Sequence, residues 1–168
     1  VSLSGKIESL TIDDCIFIGA DNSTTNKAIY ASSAHTQVET LSVTNSTFLN
    51  FNTGSNYFFR INCGEELVLM PVVLIDHCTF YNCYDRRGVY LYNAGRSTIK
   101  NCISAFSERR DDTKSFTAYG DESIVKNVIS YNVDLYGSAP KENIISKNPL
   151  FVDAENGNFQ LYKDSPAV

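Results

Sequence analysis

The sequence has no tryptophan, a single methionine and no long apolar segment. A helix that spans a bilayer needs about 20 consecutive apolar residues, and no run in this chain approaches that length. Positive charge is also scarce, with 14 lysines and arginines against 19 acidic residues, a net charge of −5 and a pI near 5.0. These absences argue against a membrane-spanning helix and leave no basic field to attract nucleic acid or an anionic membrane.

The five cysteines lack the spacing of a metal site. Cys78 and Cys83 form a C-x4-C pair, but no second pair accompanies them as a zinc site would require. The odd number gives no support to a disulfide framework. His35 lies in a segment of serine, alanine and threonine without a neighbouring acid or nucleophile, so neither a Ser-His-Asp nor a Cys-His catalytic arrangement is predicted.

A degenerate repeat organises the chain, and each copy consists of an apolar alternation, a polar pivot and a second alternation. The aligned segments are Leu10–Phe17, Leu41–Phe48, Val73–Phe80, Ser97–Ser104 and Ser123–Ser130, with a weaker sixth copy at Asn143–Asn148. The pivots are Asp14, Asn45, His77, Asn101 and Asn127, which by subtraction lie 31, 32, 24 and 26 residues apart.

Strand periodicity predicts which side chains face the core, because alternate residues of a strand point to the same side. The predicted inward residues are Ile12, Val43, Ile75, Ile99 and Val125 before the pivot, and Cys15, Ser46, Cys78, Cys102 and Val128, then Phe17, Phe48, Phe80, Ser104 and Ser130, after it. The cysteine column could be read as a metal or redox site. We interpret it as an interior stack, because free cysteine packs as a small hydrophobic residue.

A third strand follows each of the first four copies, and these strands are Ala28–Ser32, Phe58–Asn62, Gly88–Tyr92 and Ser115–Tyr119. Three short strands per circuit predict an all-β fold, a right-handed parallel β-helix (solenoid) of about five to six coils. An asparagine at the bend of each coil tolerates unusual backbone angles and can bond to the asparagines above and below it. Asp14 and His77 are expected to be substitutes in that ladder.

The 168 residues and 43% hydrophobic content suit a single compact domain, predicted over 1–168 with 143–168 as its closing segment. The chain begins at Val1 without a methionine, a signal peptide or a lipidation motif. We therefore expect an excised or mature part of a longer protein. Because an uncapped coil would expose core, upstream coils or a capping domain of the same polypeptide are also expected.

The Ile-x-Asn-Cys-x-Phe type of repeat resembles the pectate-lyase-like superfamily of right-handed parallel β-helices. The tail Asn148–Val168 is similar to the closing segment of many exported β-helix proteins of Bacteroidetes-type bacteria. The resemblance covers nearly the whole chain and implies export to the cell surface, the periplasm or the exterior. It also implies that the third strands form the sheet whose outer face carries substrate.

On that sheet, alternation predicts two outward rows: Tyr30, Arg60, Tyr90 and Thr117, then Ser32, Asn62, Tyr92 and Tyr119. Tyrosine rings suit the C–H faces of sugars, and an arginine can hold a uronate carboxylate through two parallel hydrogen bonds. We therefore expect a polysaccharide partner, with uronate among its sugars. The candidate substrate-binding residues are Tyr30, Asn62, Tyr90, Tyr92, Tyr119 and Arg109. Alternatively, the tyrosines pack on one another as cross-strand neighbours.

A second hypothesis is an active polysaccharide lyase. Lyases of the superfamily use a cation, often calcium held by carboxylates, to neutralise the uronate, and an arginine or lysine base to start the β-elimination. The candidate bases are Arg60, Arg86 and Arg87, and the candidate calcium ligands are Asp111 and Asp112. The sequence lacks a spaced carboxylate cluster and the Arg-x-Pro-x-x-Arg segment of the best-known pectate lyases. A third hypothesis is a structural or adhesin-like solenoid without a sugar site.

The segment Leu74–His77 is similar to the Trp-Ile-Asp-His motif of those pectate lyases, with leucine in place of tryptophan. Asp76 and His77, however, fall on the pivot and not on the third strand. We therefore interpret His77 as a substitute in the asparagine ladder.

Overall fold

The computed structural model describes residues 1–20, 27–31, 36–51, 57–61, 71–84, 86–92, 94–109 and 111–168. Its strands are β1 (Lys6–Asp13), β2 (Ile16–Ile18), β3 (Ile29–Ala31), β4 (Gln37–Thr44), β5 (Thr47–Leu49), β6 (Phe59–Ile61), β7 (Val72–Asp76), β8 (Thr79–Tyr81), β9 (Val89–Leu91), β10 (Arg96–Ala105), β11 (Lys114–Ala118), β12 (Ile124–Tyr131), β13 (Asp134–Tyr136), β14 (Lys141–Ile145), β15 (Phe151–Asp153) and β16 (Asn158–Leu161). A short 3-10 helix spans Ala154–Asn156. Among the described residues, no helix has the length and apolar character needed to cross a membrane.

The strands stack as a parallel β-solenoid, which confirms the predicted fold class. One sheet stacks β1, β4, β7, β10, β12 and β14 in parallel and also takes in β2, β5 and β8. A second sheet has the order β3, β6, β9, β11 and β13, again with parallel pairing. The repeat alignment is confirmed residue by residue, because Ile12 pairs with Val43, Val43 with Ile75, Ile75 with Ile99 and Ile99 with Val125.

The three short strands predicted for each coil occur as separate elements in the first three coils, β1–β3, β4–β6 and β7–β9. In the fourth coil, the first two strands merge into the long strand β10, which β11 follows. In the fifth coil, they merge into β12, which β13 follows. The ladder between β10 and β12 skips Asn101 and continues at Cys102. The bend at the pivot is therefore kept, and the pairing between strands continues directly before and after it.

The pivots adopt the left-handed backbone conformation that the repeat predicts. Their φ angles are 51° at Asp14, 50° at Asn45, 52° at His77, 52° at Asn101 and 51° at Asn127. The register of β12 and β14 places Asn143, the first residue of the weaker sixth copy, at the pivot position, with a φ of 48°. This conformation costs most residues about 1–2 kcal/mol, and the short polar side chains of Asn and Asp reduce that cost by bonding locally. The alignment of these bends turns the chain at the same corner in every coil.

The predicted amide ladder forms over part of the corner. Asn143 donates from Nδ2 to Oδ1 of Asn127 over 2.9 Å, and Asn127 donates likewise to Asn101 over 3.1 Å. Asn101 then bonds to Asp76 over 2.9 Å and not to the pivot His77. Asn45 similarly bonds to an aspartate one residue before a pivot, Asp13, over 2.8 Å. The substitutes at positions 14 and 77 thus keep the bend, while the preceding aspartates accept the hydrogen bond.

A second left-handed bend lies five residues after the pivot, which the repeat analysis did not predict. Asn50, Asn82 and Asn132 have φ angles of 55°, 51° and 58°. In the first coil Gly19 occupies the equivalent place without a left-handed φ, and a Cβ atom there would lie 2.3 Å from the carbonyl oxygen of Asn50. A glycine is required there because the backbone of the next coil leaves no room for a side chain.

The interior is filled by columns of like residues. The rings of Phe17, Phe48 and Phe80 stack at centroid distances of 4.8 Å in each step. Cys78 and Cys102 are buried and form no disulfide, as predicted for an interior stack, whereas Cys15 in the first coil is half-buried. Each coil therefore completes its core only by contact with its neighbours.

The C-terminal segment contributes β14 to the stack and then folds back along the side of the solenoid. Its strands β15 and β16 pair in an antiparallel hairpin. Tyr81, which points outward from β8, packs edge-on against Phe151 and Phe159 and donates a hydrogen bond to Oε1 of Glu155 over 2.6 Å. The tail is thus attached to the third coil of the solenoid as well as to its end.

Candidate functional site

The second sheet presents a column of outward side chains in strict register. Tyr30 of β3 pairs with Arg60 of β6, which pairs with Tyr90 of β9. The flanking residues Ile29, Phe59 and Val89 are fully buried, as alternation predicts. The inward side chains therefore anchor the strands in the core and fix the position of the outward column.

A second outward column stands beside the first, two residues before the buried position of each strand. It consists of Lys27, Tyr57 and Arg87, which precede β3, β6 and β9, so each of these coils carries one cation and one ring and their order alternates from coil to coil. We call the set Lys27, Tyr30, Tyr57, Arg60, Arg87 and Tyr90 the tyrosine–cation face.

Each of the first three coils contributes one contact between a cation and a tyrosine ring. Lys27 Nζ lies 3.8 Å from the ring centroid of Tyr30. Arg60 Cζ lies 4.5 Å from the Tyr57 centroid, and Arg87 Cζ lies 5.0 Å from the Tyr90 centroid. Such contacts stabilise by about 0.5–1 kcal/mol at exposed sites and by more when they are desolvated.

Contacts between coils join these pairs into one surface. Arg60 lies 5.8 Å from the Tyr30 ring and 6.0 Å from the Tyr90 ring, and Arg87 lies 5.6 Å from the Tyr57 ring. Nη1 of Arg60 donates a hydrogen bond to the Tyr30 hydroxyl over 3.3 Å, and the Tyr57 and Tyr90 rings are 4.7 Å apart. The six side chains are therefore held in a fixed arrangement before any ligand arrives.

Positive charge collects on this face although the chain is acidic overall, with a net charge of −5. In the part of the chain that the structure describes, neither Lys27 nor Arg60 forms an ion pair with a carboxylate. Burial raises the pKa of Tyr90, with the Arg87 charge acting in the opposite direction, so its hydroxyl stays protonated at neutral pH. Tyr90 is only 5% exposed, so the accessible part of the face consists mainly of the cations and the half-buried rings of Tyr30 and Tyr57.

Two further tyrosines extend the surface toward the C-terminal coils. The Tyr92 ring lies parallel to the Tyr90 ring at 5.9 Å, and Tyr119 meets both rings edge-on at 6.2 and 5.4 Å. We call Tyr92 and Tyr119 the aromatic end. Thr117, in register with Tyr90, is fully buried, and its hydroxyl has no hydrogen-bond partner among the described residues.

The remaining candidate residues are divided between this face and a separate loop. Arg86 is exposed next to Arg87, while Asn62 lies outside the described residues. Arg109 is exposed and bonds to Asp111 over 3.2 Å and to Asp134 over 2.9 Å, and these carboxylates raise the pKa of its guanidinium. Its donors are thus directed toward its own loop and the neighbouring coil.

The two candidate calcium ligands do not form a described cation site. Asp111 is paired with Arg109, and Asp112 accepts a hydrogen bond from Thr113 over 3.4 Å. Across the described ranges, no three His, Cys, Asp or Glu side chains come together to hold a metal. Calcium takes six to eight oxygen ligands, so these two carboxylates alone do not fit it.

The aspartate and histidine of the lyase-like motif lie at the corner and not on the tyrosine–cation face. Asp76 Oδ1 is 2.7 Å from Nδ1 of His77, and its Oδ2 is 3.1 Å from Nζ of Lys100. Burial would raise the pKa of Asp76, but the hydrogen bonds from Asn101 and Lys100 and the neighbouring positive charges outweigh burial and lower it. These contacts support the interpretation of the motif as part of the corner.

Sequence reasoning found the column of Tyr30, Arg60 and Tyr90 but missed Lys27 and Tyr57. A usable signal was present, because each of the first three coils has a cation and a tyrosine three residues apart at its third strand. The order of the two is reversed in the second coil, which produces the alternation between coils.

Comparisons with known proteins give no family for the chain. No protein-family model matches the sequence, and a search of curated proteins gives no significant match.

Proposed function

We propose that the chain is a carbohydrate-binding β-helix domain of an exported bacterial protein that processes polysaccharides, and that it binds sugar on the tyrosine–cation face. The alternation of three rings and three cations across adjacent coils carries this proposal. The parallel solenoid and its repeat support the resemblance to the pectate-lyase-like superfamily, which we propose as its wider family.

The arrangement suits a sugar chain for two physical reasons. Tyrosine rings give apolar surfaces for the C–H faces of pyranose rings, and their hydroxyls bond to sugar hydroxyls. The side chains also stand on paired strands or on the residues just before them, next to buried neighbours, so binding orders few groups and loses little conformational entropy. A long glycan can contact several coils at once, because the coils repeat about every 4.8 Å.

An active lyase is the second candidate, since Arg60 and Arg87 lie on the proposed sugar face. Either guanidinium could remove the proton next to a uronate carboxylate only after losing a proton of its own, and this loss is costly for arginine. The described residues supply no carboxylate cluster to hold a cation that would neutralise the substrate carboxylate. Binding without turnover is therefore the function that the geometry supports best, and a purely structural solenoid is the alternative that the experiment must exclude.

The experiment is affinity electrophoresis of the chain through gels containing plant, bacterial and animal polysaccharides, followed by calorimetry on the ligands found. We expect Arg60→Gln and Tyr57→Ala to weaken binding at least tenfold, since tenfold corresponds to about 1.4 kcal/mol. Arg96→Gln and Tyr162→Ala are matched controls, because Arg96 pairs with Glu122 and Tyr162 lies exposed in the tail. Circular dichroism verifies that each variant is folded.

Three results would change the proposal. No retardation in any gel would favour the structural solenoid. Equal loss of binding in the variants and the controls would place the site elsewhere. New ultraviolet absorbance from unsaturated uronates during incubation with a bound polysaccharide would select the lyase.

A further inference from the structure

Two buried cysteines lie opposite each other on adjacent coils. The strand pairing before and after them has the same register, so Cys78 of the third coil lies directly opposite Cys102 of the fourth. The backbone N–H of Ile103 donates to the carbonyl of Cys78 over 3.0 Å and holds the two coils together at this point. Neighbouring strands lie about 4.8 Å apart, and the Cα atoms of a disulfide are about 4.4–6.8 Å apart. The backbone therefore has the separation that a disulfide needs.

The two thiols share the same interior space, and each residue is only 1% exposed. Each Sγ donates to the carbonyl two residues earlier in the chain, Asp76 over 3.4 Å for Cys78 and Lys100 over 3.0 Å for Cys102. Hydrogen bonding between the two thiols is the main cause that lowers the pKa of Cys78, whereas burial raises the pKa of Cys102. Because a thiol is a weak donor, turning one Sγ toward the other sacrifices little hydrogen bonding.

The rest of the cysteine column offers neither thiol a second sulfur. Beyond Cys102 the column continues with Val128, and before Cys78 it contains Ser46. Cys15 of the first coil lies next to Ser46, whose Oγ accepts a hydrogen bond from the Cys15 backbone N–H over 3.2 Å. In the described part of the chain, cysteines therefore occupy the same position of adjacent coils only at 78 and 102.

We propose that Cys78 and Cys102 form a disulfide that joins the third coil to the fourth, with a small-molecule disulfide as the oxidant. The Cys78 thiolate attacks one sulfur of the oxidant, which forms a mixed disulfide and releases one thiolate. The Cys102 thiolate then attacks the Cys78 sulfur, which closes the bridge and releases the second thiolate. The released thiolates take up the two protons that the cysteines lost. The cysteines are thus oxidised by two electrons, and the oxidant is reduced to two thiols.

Burial determines when the bridge forms. Thiols that are enclosed in the core are shielded from the oxidant, so the exchange takes place while the coils assemble or when they open locally. The bridge closes a loop around one complete circuit of the solenoid and restricts the unfolded chain. The proposed export would supply the oxidising compartment, and the bridge does not depend on sugar binding.

The test refolds the full chain from urea, once with a reductant and once in a mixture of reduced and oxidised glutathione. The remaining thiols are then alkylated, and the peptides are mapped by mass spectrometry. We expect a linked pair of peptides that contains Cys78 and Cys102, with Cys15 alkylated. The oxidised chain should also unfold at a higher urea concentration than the reduced chain, because the bridge restricts the unfolded state.

Variants that occur naturally in the same column separate the bridge from packing. Ser46 is buried there, so Cys78→Ser should fold, which circular dichroism verifies, and its urea midpoint should not depend on the reductant. Cys102→Val, with the residue found at Val128, is a second variant for the same measurement. Cys15→Ser is the matched control and should keep the linked peptides and the difference in midpoint.

Three results would overturn the inference. The first is alkylation of both Cys78 and Cys102 after refolding in the glutathione mixture. The second is a bridge from either of them to another cysteine. The third is a linked pair without a higher urea midpoint, which would show that the bridge does not hold the two coils together. Each of these results leaves the proposed sugar binding intact, because none of the three measurements involves a glycan.

Discussion

Arg60 and Tyr30, thirty residues apart in sequence, are directly paired on adjacent coils, and a hydrogen bond of 3.3 Å joins Nη1 of the arginine to the tyrosine hydroxyl. The same tyrosine ring lies under Lys27 Nζ at 3.8 Å. One ring therefore contacts cations from two coils, so that these contacts stabilise the stacking of coils as well as forming the proposed sugar surface.

Tyr57 provides the first test of this stabilising role. Its ring contacts Arg60, Arg87 and Tyr90. Tyr57→Ala should lower the free energy of unfolding by about 1–3 kcal/mol, from two cation–ring contacts and one aromatic pair. Tyr57→Phe keeps the ring and should change it by less than about 0.5 kcal/mol. Urea unfolding measures both, and equal losses in the two variants would show that the ring contacts are not the source of stability.

Asn127 tests the corner of the solenoid. It donates to Asn101, accepts from Asn143 and has a φ of 51°. Asn127→Ala should cost about 2–4 kcal/mol, because it loses two hydrogen bonds and retains the strained backbone angle. Asn127→Gly loses the same hydrogen bonds but adopts positive φ freely, so it should cost about 1 kcal/mol less. An alanine variant as stable as the glycine variant in urea unfolding would mean that the bend is not strained.

The sequence alone was sufficient for the stack of coils because a polar residue, asparagine in three of the five aligned copies, marked each bend. The polar pivots and the alternation around them aligned Ile12, Val43 and Ile75, and these residues do pair. The second bend at Asn50, Asn82 and Asn132 was missed, although asparagine recurs five residues after three pivots. Gly19 in the first coil and Phe106 in the fourth occupy that place, so the asparagine does not recur in every coil and the second bend was not recognised.

The candidate site was harder to predict than the fold. Tyr30, Arg60 and Tyr90 followed from alternation within the strand. Lys27 and Tyr57 precede their strands, so periodicity does not assign them a face, and only the register between coils brings them beside the first column. The path of the tail against Tyr81 was also beyond sequence reasoning, because the contact joins residues more than seventy positions apart.

Asp76 makes stability depend on pH at the acid end. Its pKa in the folded chain lies below the ordinary value of 3.8, so folding disfavours its protonation. The stabilisation that ionised Asp76 gives the folded chain is therefore fully present above pH 3.8, and it is lost as the pH falls through the lower pKa of the folded state. Asp76→Asn should flatten the decline in stability below about pH 4. Urea midpoints from pH 2 to 6 measure this effect, and parallel curves for wild type and variant would contradict it.

The tail should detach when its contact with the third coil is removed. Tyr81→Ala loses two ring contacts and the hydrogen bond to Glu155. We expect amides in β15 and β16 to exchange with deuterium at least tenfold faster, while those of β7 and β10 remain protected. Tyr162→Ala serves as the control within the tail. Unchanged exchange in β15 and β16 would mean that other contacts hold the hairpin.

The most direct test of sugar binding on the tyrosine–cation face is an aromatic NMR titration of tyrosine-labelled protein with a polysaccharide fragment retained in the gel assay. The account predicts that the ring signals of Tyr30, Tyr57, Tyr90, Tyr92 and Tyr119 shift together with one saturation curve, while that of Tyr162 stays fixed. Saturable binding that leaves those five signals unmoved would contradict it.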